Sequence, residues 1–489
     1  MAYLTTTHLQ CLHQAGEGLI AQLQREPTSR YETTSVSDDQ PCIPNPQLFH
    51  STSSKPPTNA RERELPTISD CAIHLELLEV FHTLREQILY SNDLDNAFGI
   101  EIRKKTVHRN RYTQGQPTPE TEEFHVRDDT WESRRREKWS YFLELAVGRF
   151  RTWIRIADDL WKQKSTGKTS AAPSGVELSP PLDVLMVWHS FLLNPQDFDM
   201  YCKLNSLNWI RGARFPWGRI HEAINAKDWT YTLPQPIEDW LLETEKMEPD
   251  LLATLCKAGK SKSRTRSLLS RYGAGTTATS IEVTDLNSDT TPLVTRELYF
   301  LRASQSAILQ SQENKPLVGH VQRQVGFINK MHDHLWIKSP AVRGTLRRAI
   351  ARYEKFARLF GLYQEMIFVP TLDIDFIWHT HQCNACKYEE YMVEHTGRFV
   401  RHNDRVGRSI LRRGMDLTQQ LFFEKYGEKY HTCLCWNCEA ILDGLEKCDR
   451  DSGEVDAGEL AKVIEEMVYF YAAVEIARRK GWPIPVRDL

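Results

Sequence analysis

Apolar residues recur at helical spacing along most of the chain. Ile73, Leu77, Val80, Phe81, Leu84 and Ile88 fall three or four apart, so they share one helix face, and Asp70 stands before the pattern in a capping position. Trp139, Phe142, Leu143, Ala146, Phe150 and Trp153 repeat the pattern inside a long helix expected over 130–162. Further helices are expected over 317–337, after Ser339-Pro340, where serine caps and proline takes the first helical position, and over 458–480, which Gly481 and Pro483 end. Alternating patterns are few, and the β-branched run 280–284 lies in a polar stretch. The expected fold is mainly α, as two related helical bundles joined by a disordered linker.

One helical stretch occurs twice. Residues 180–201 read PPLDVLMVWHSFLLNPQDFDMY and residues 370–391 read PTLDIDFIWHTHQCNACKYEEY, with seven of 22 positions identical. The copies share Asp183/Asp373, Trp188/Trp378, His189/His379 and Asn194/Asn384. Each reads as a short helix, over 184–192 and 374–381, entered at an Asp that accepts free backbone N–H groups and followed by an Asn that caps the next helix. These shared residues are expected to be scaffold, with the Trp-His pairs buried and hydrogen-bonded. The second copy alone adds Asp375, His381, Cys383 and Cys386, which makes it the place to look for chemistry.

Composition sets the domain plan. A chain of 489 residues exceeds one ordinary core. Residues 1–66 are expected to be a mostly disordered arm, because 26–66 are rich in Ser, Thr, Pro and Asn and carry too little apolar surface to offset ordering entropy. The first helical unit is expected over 67–256 and the second over 295–489. Between them, 257–294 is basic (Lys257, Lys260, Lys262, Arg264, Arg266, Arg271) and then polar, the pattern of a solvated linker.

Hydrophobic residues make up 40% and the net charge is only -3, so global charge argues for neither nucleic acid nor a membrane surface. The first residues lack a signal-peptide pattern and no stretch approaches a membrane span, so an intracellular, cytoplasmic place is expected, with the nucleus left open. Eleven cysteines without a secretion signal read as thiols or metal ligands, and six of them, with eight of 17 histidines, fall in 320–448.

Two constellations could hold a metal. Asp375 and His379 lie one helical turn apart on one face, and His402 and Asp404 arrive about 20 residues later. Imidazole plus carboxylate suits zinc, iron or manganese, with Asp375, His379 or Asp404 in catalytic roles. His381 is about 200° from His379 and joins one ion only if the helix unwinds. The alternative is a polar network satisfied without metal. The second constellation is His431, Cys433, Cys435 and Cys438, perhaps completed by Cys448 or by Cys383 and Cys386. Close thiolates suit tetrahedral zinc; the alternative is small buried residues packed beside Trp436. No phosphate-binding glycine loop, nucleophile elbow or kinase signature is present, so no nucleotide cofactor is indicated.

The run VPTLDIDFIWHTHQ, with Gly397-Arg398-Phe399-Val400-Arg401-His402-Asn403-Asp404 after it, resembles the glycine-rich domain-containing protein-like family. The resemblance covers most of 70–480, and KYGEKYHTCLCWNCEA is similar to a cysteine-bearing segment of fungal members. It implies little about mechanism. Plant members are linked to development and stress, some with RNA-binding segments; this chain has only 24 glycines and lacks their glycine-rich tail. The expected function is a metal-binding scaffold or regulatory interaction module with an unknown protein partner. The alternatives are a metal-dependent enzyme with a His/Asp site, and an RNA-associated protein that uses the basic run 257–271.

Overall fold

A computed structural model of the chain describes residues 33–34, 43–49, 65–103, 105–111, 120–167, 172–175, 179–273, 295–402, 407–451 and 457–486. In chain order, β1 (Thr33–Thr34) precedes helices α1 (Ile68–Tyr90) and α2 (Asn92–Ala97), the hairpin β2 (Lys105–Arg111) and β3 (Glu120–Val126), and the long α3 (Trp131–Ser165). The first repeat forms α4 (Leu182–Leu192) and α5 (Pro195–Leu204), followed by α6 (Trp217–Ala223), β4 (Ile224–Asn225), β5 (Thr230–Tyr231), α7 (Gln235–Glu243), α8 (Leu251–Lys260) and α9 (Arg264–Gly273). Then come α10 (Thr295–Leu309), α11 (Ser311–His334) and α12 (Val342–Leu362), with the second repeat as α13 (Leu372–Gln382) and α14 (Ala385–Thr396). The chain ends with α15 (Arg408–Tyr426), α16 (Trp436–Asp451), α17 (Ala457–Lys480) and β6 (Ile484–Pro485). The fold is mainly α, and none of these helices is long and apolar enough to cross a membrane.

Two compact units make up the chain: one of residues 1–82, 189–232 and 323–489, the other of 83–188 and 233–322. They differ from the consecutive units expected from the sequence. The division falls inside α1, α4 and α11, where the helical pattern runs on without a break and offers nothing to read as a boundary.

In the first unit, α12 packs on α13, α14 and α16, and α16 on α17. Thr67 caps α1, and the expected cap Asp70 is its reciprocal partner: Thr67 Oγ1 accepts the Asp70 N–H (3.1 Å) and Asp70 Oδ2 accepts the Thr67 N–H (3.0 Å), a capping box. Helix α1 is buried on most sides yet includes His74, Glu76 and Glu79. The acids are paired, Glu76 with His221 Nδ1 at 2.6 Å and Glu79 with His332 Nδ1 at 2.8 Å. Part of the expected disordered arm is packed here. Ile43 joins Phe470 and Val474 in an apolar cluster, Phe49 stacks on the His221 ring at 3.9 Å, and β1 pairs with β6. A few apolar side chains suffice to anchor an otherwise polar segment; within 1–66 only residues 33–34, 43–49 and 65–66 are among the described residues.

The second unit pairs α3 with α10 and α2 with α8. The basic run expected as linker is helical through residue 273, because Leu255, Ala258, Leu268 and Leu269 form buried faces beneath the charges. Lys260 pairs with Asp93 at 3.2 Å and Arg266 donates to the Asn96 carbonyl at 3.2 Å. Residues 274–294, including the run 280–284, lie outside the described residues. The hairpin β2–β3 had no alternating signal because the side chains described on it are exposed.

Neither repeated Asp acts as a cap. Asp183 accepts from Arg149 Nε at 2.6 Å, and Asp373 from Arg352 Nε at 2.6 Å, each arginine on the long helix before its repeat. Both aspartates are buried, and a guanidinium satisfies a buried carboxylate better than a helix end does. The repeated Asn side chains are diverted too: Asn194 Nδ2 donates to the Ser190 carbonyl (3.1 Å), and Asn384 Oδ1 accepts from the Phe215 N–H (3.0 Å).

Candidate functional site

Helix α13 is regular through Gln382, so Asp375 and His379 face one way. After α14, Gly397 takes a left-handed backbone (φ 72°) and turns the chain back, which brings His402 against the same face. His379 Nε2 lies 3.2 Å from His402 Nε2, His402 Nε2 lies 3.3 Å from Asp375 Oδ1, and His379 Nε2 lies 3.5 Å from Asp375 Oδ1. Phe327 covers the His379 ring at 4.4 Å, and Trp378 meets the His402 ring edge-on at 5.0 Å. Burial raises the Asp375 carboxyl, but the imidazoles of His379 and His402 outweigh it and hold the group below its ordinary value.

The triangle has the dimensions of a metal face. A tetrahedral zinc ion with bonds of about 2.0–2.1 Å separates its ligand atoms by about 3.3–3.4 Å. Two imidazoles and a carboxylate are borderline donors suited to zinc, iron or manganese. Three protein ligands would leave such an ion an open position.

Behind the triangle stands a second imidazole pair that the sequence did not reveal as a pair. His74 Nδ1 lies 2.8 Å from Thr380 Oγ1, whose hydroxyl donates to the Phe376 carbonyl (2.9 Å), and His74 Nε2 lies 2.9 Å from His189 Nε2. With the Thr380 proton so committed, His74 carries its proton on Nδ1 and His189 donates from Nε2. Burial drives both below the ordinary histidine value, His189 to about 3, so both are neutral at pH 7. The one signal for His74 was a polar residue inside the apolar run Cys71-Ala72-Ile73-His74-Leu75.

The other candidates are distributed as follows. His381 faces away from His379, with Nδ1 2.9 Å from the Tyr353 hydroxyl and its ring against Tyr388 and Tyr391. Asp404 lies outside the described residues. Trp188 packs on Trp153 at 5.2 Å in the second unit, while Trp378 Nε1 donates to the Tyr388 hydroxyl at 2.9 Å in the first. The sulfurs of Cys433, Cys435 and Cys438 lie within 4.8 Å of one another, with 3.4 Å between Cys433 and Cys435. His431 stays exposed outside that group, and Cys386 sits apart, against the Arg211 carbonyl at 3.4 Å.

Residues 290–390 match the family model described as glycine-rich domain-containing protein-like. Over 153 residues the chain is 29% identical to glycine-rich domain-containing protein 1 of Arabidopsis thaliana, covering 29% of this chain and 17% of that protein. Over 107 residues it is 34% identical to glycine-rich domain-containing protein 2 of the same plant, covering 20% of this chain and 13% of that protein. The chain thus spans less than a fifth of either relative's length. No solved structure matches. The matched stretch contains Asp375 and His379 and ends before His402 and Cys433.

Proposed function

We propose that this chain, which carries a glycine-rich domain-containing protein-like domain over residues 290–390, is a metal-binding protein that holds a divalent transition ion through Asp375, His379 and His402. The observation that carries the reading is the triangle of three donor atoms with edges of 3.2, 3.3 and 3.5 Å. Without an ion, two imidazole nitrogens and a carboxylate oxygen share too few protons to satisfy all three edges; a cation would satisfy every edge at once. As a scaffold or regulatory module, the bound ion would fasten the segment around His402 to α13. Elemental analysis of protein purified without chelator tests it: wild type carrying one equivalent more of zinc, iron or manganese than either His379→Ala or His402→Ala is the expected result. Metal content unchanged by both substitutions overturns it.

A metal-dependent enzyme is the second reading, and one observation favours it. A cavity of about 310 Å³ lies against His402 and Trp378, walled by apolar side chains such as Phe360 and Phe368 and edged by Arg398 and Arg401. Its size is at the low end of small-molecule sites, and its lining would suit an anion with an apolar body. RNA binding through 257–271 draws less support, because Lys260 and Arg266 are already engaged within the second unit.

A further inference from the structure

A pair of tryptophans ties two distant segments of the first unit together. Trp336 Nε1 donates to the Leu434 carbonyl at 3.0 Å, and Trp436 Nε1 donates to the His334 carbonyl at 2.9 Å. The reciprocal bonds run the end of α11 alongside the entry to α16, so the turn that carries His334 lies beside the segment that carries Cys433 and Cys435. Leu335, in the left-handed conformation (φ 48°), turns the chain just after His334. The His334 imidazole is half-buried, 5.7 Å from the Trp336 ring.

We infer that Cys433, Cys435, Cys438 and His334 form a second, closed metal site for zinc, distinct from the Asp375 centre and structural in role. Three sulfurs within 4.8 Å suit a tetrahedral zinc, whose bonds of about 2.3 Å set sulfurs roughly 3.8 Å apart. A bound cation would take all three sulfurs as ligands, each thiol giving up its proton on binding.

The rival fourth ligands fail on position. Cys448 lies ten residues beyond Cys438 on the same helix, about 15 Å away along its axis. Cys386 is held at Arg211, and His431 is exposed beside the Tyr430 ring. His334 alone among these has its backbone tied to the cysteine segment, through its own carbonyl and Trp436, so that its imidazole has only to turn toward the sulfurs. The bound zinc would staple the C-terminal end of α11 to the start of α16.

Cobalt(II) substitution tests this inference independently of the Asp375 centre. Full-length protein carrying His379→Ala, which removes the Asp375 centre, should on loading with one equivalent of cobalt show thiolate-to-cobalt charge transfer and the intense visible bands of a tetrahedral ion. Cys435→Ser should weaken the charge transfer. Added to that background, His334→Ala should shift the visible bands and weaken cobalt binding at least tenfold while the charge transfer stays, and His431→Ala should change neither. A thiol-selective mercurial added to folded wild type should release one equivalent of zinc, which guards against variants that fail to fold. Charge transfer absent in the His379→Ala background, or a band shift produced by His431→Ala instead of His334→Ala, overturns the inference.

Discussion

The Nε2 atoms of His379 and His402 stand 3.2 Å apart, so at most one of them can carry a proton directed at the other. Because Asp375 Oδ1 closes the triangle, a cation bound as proposed would meet all three groups at once. Ligand that binds only the folded state stabilises it by mass action, by about 2.7 kcal/mol at a hundredfold excess over Kd. Zinc should therefore raise the thermal midpoint of wild type, and His402→Ala should abolish the part of the rise due to this centre. An equal rise in both proteins sinks the assignment.

Arg352 and Asp373 make a second prediction. Arg352 also donates to the Tyr430 carbonyl at 2.5 Å, so one guanidinium holds the first turn of α13 to the segment that leads to the cysteines. Removing one member of a buried pair leaves the other charged and unpaired, at about 3–5 kcal/mol. Asp373→Asn should cost less than Asp373→Leu, because the amide oxygen can still accept. The double change Arg352→Met with Asp373→Leu should cost well under the sum of the singles. Additive urea-unfolding losses would show that the pair is not coupled.

How much of this was legible in the chain follows from the range of each interaction. The long helices were legible because their apolar faces repeat within a few residues, and α3 was expected over 130–162 and forms over Trp131–Ser165. The Asp375–His379 pairing was legible for the same local reason. The Arg149–Asp183 and Arg352–Asp373 pairs were not, since the partners are 34 and 21 residues apart with no local pattern to join them. His74 meets Thr380 across 306 residues, a contact that only tertiary packing creates. The basic run 257–271 was misread because its charges drew the eye from the buried Leu268 and Leu269 beneath them.

Gly259 gives a third prediction, one in which two effects oppose. Replacing a helical glycine with alanine gains about 1 kcal/mol of helix propensity. At Gly259, however, the added methyl would overlap the Asp93 carbonyl oxygen, a backbone atom of α2 that cannot swing aside. Overpacking costs about 1–3 kcal/mol, so Gly259→Ala should be destabilising on balance. Gly326→Ala, in the exposed interior of α11 with nothing within 4 Å, should instead be neutral or stabilising. Chemical denaturation of the two variants side by side checks the contrast, and a stabilised Gly259→Ala would refute the close approach.

Lys338 predicts a pH dependence. Its ammonium is buried, 2.9 Å from the Ala226 carbonyl, 3.4 Å from the Ile43 carbonyl and 4.4 Å from the Trp229 ring centre, with Glu475, Arg478, Glu76 and Glu79 the charges around it. Burial pulls its pKa down from 10.5 to about 8, against the pull of Glu475. Below about pH 8 the folded and unfolded chains both carry the proton, and the cost of burying the charge is present in full. As pH rises from about 8 to 10.5 the folded chain loses the proton while the unfolded chain keeps it, so stability from this group rises by about 3 kcal/mol. Lys338→Met has no proton to lose. The stability difference, wild type minus Lys338→Met, should therefore climb between pH 7 and 10.5 in urea titrations read by circular dichroism, whatever the other titrating groups contribute to both proteins. A difference that stays flat or falls over that range would mean that Lys338 keeps its charge in the folded chain.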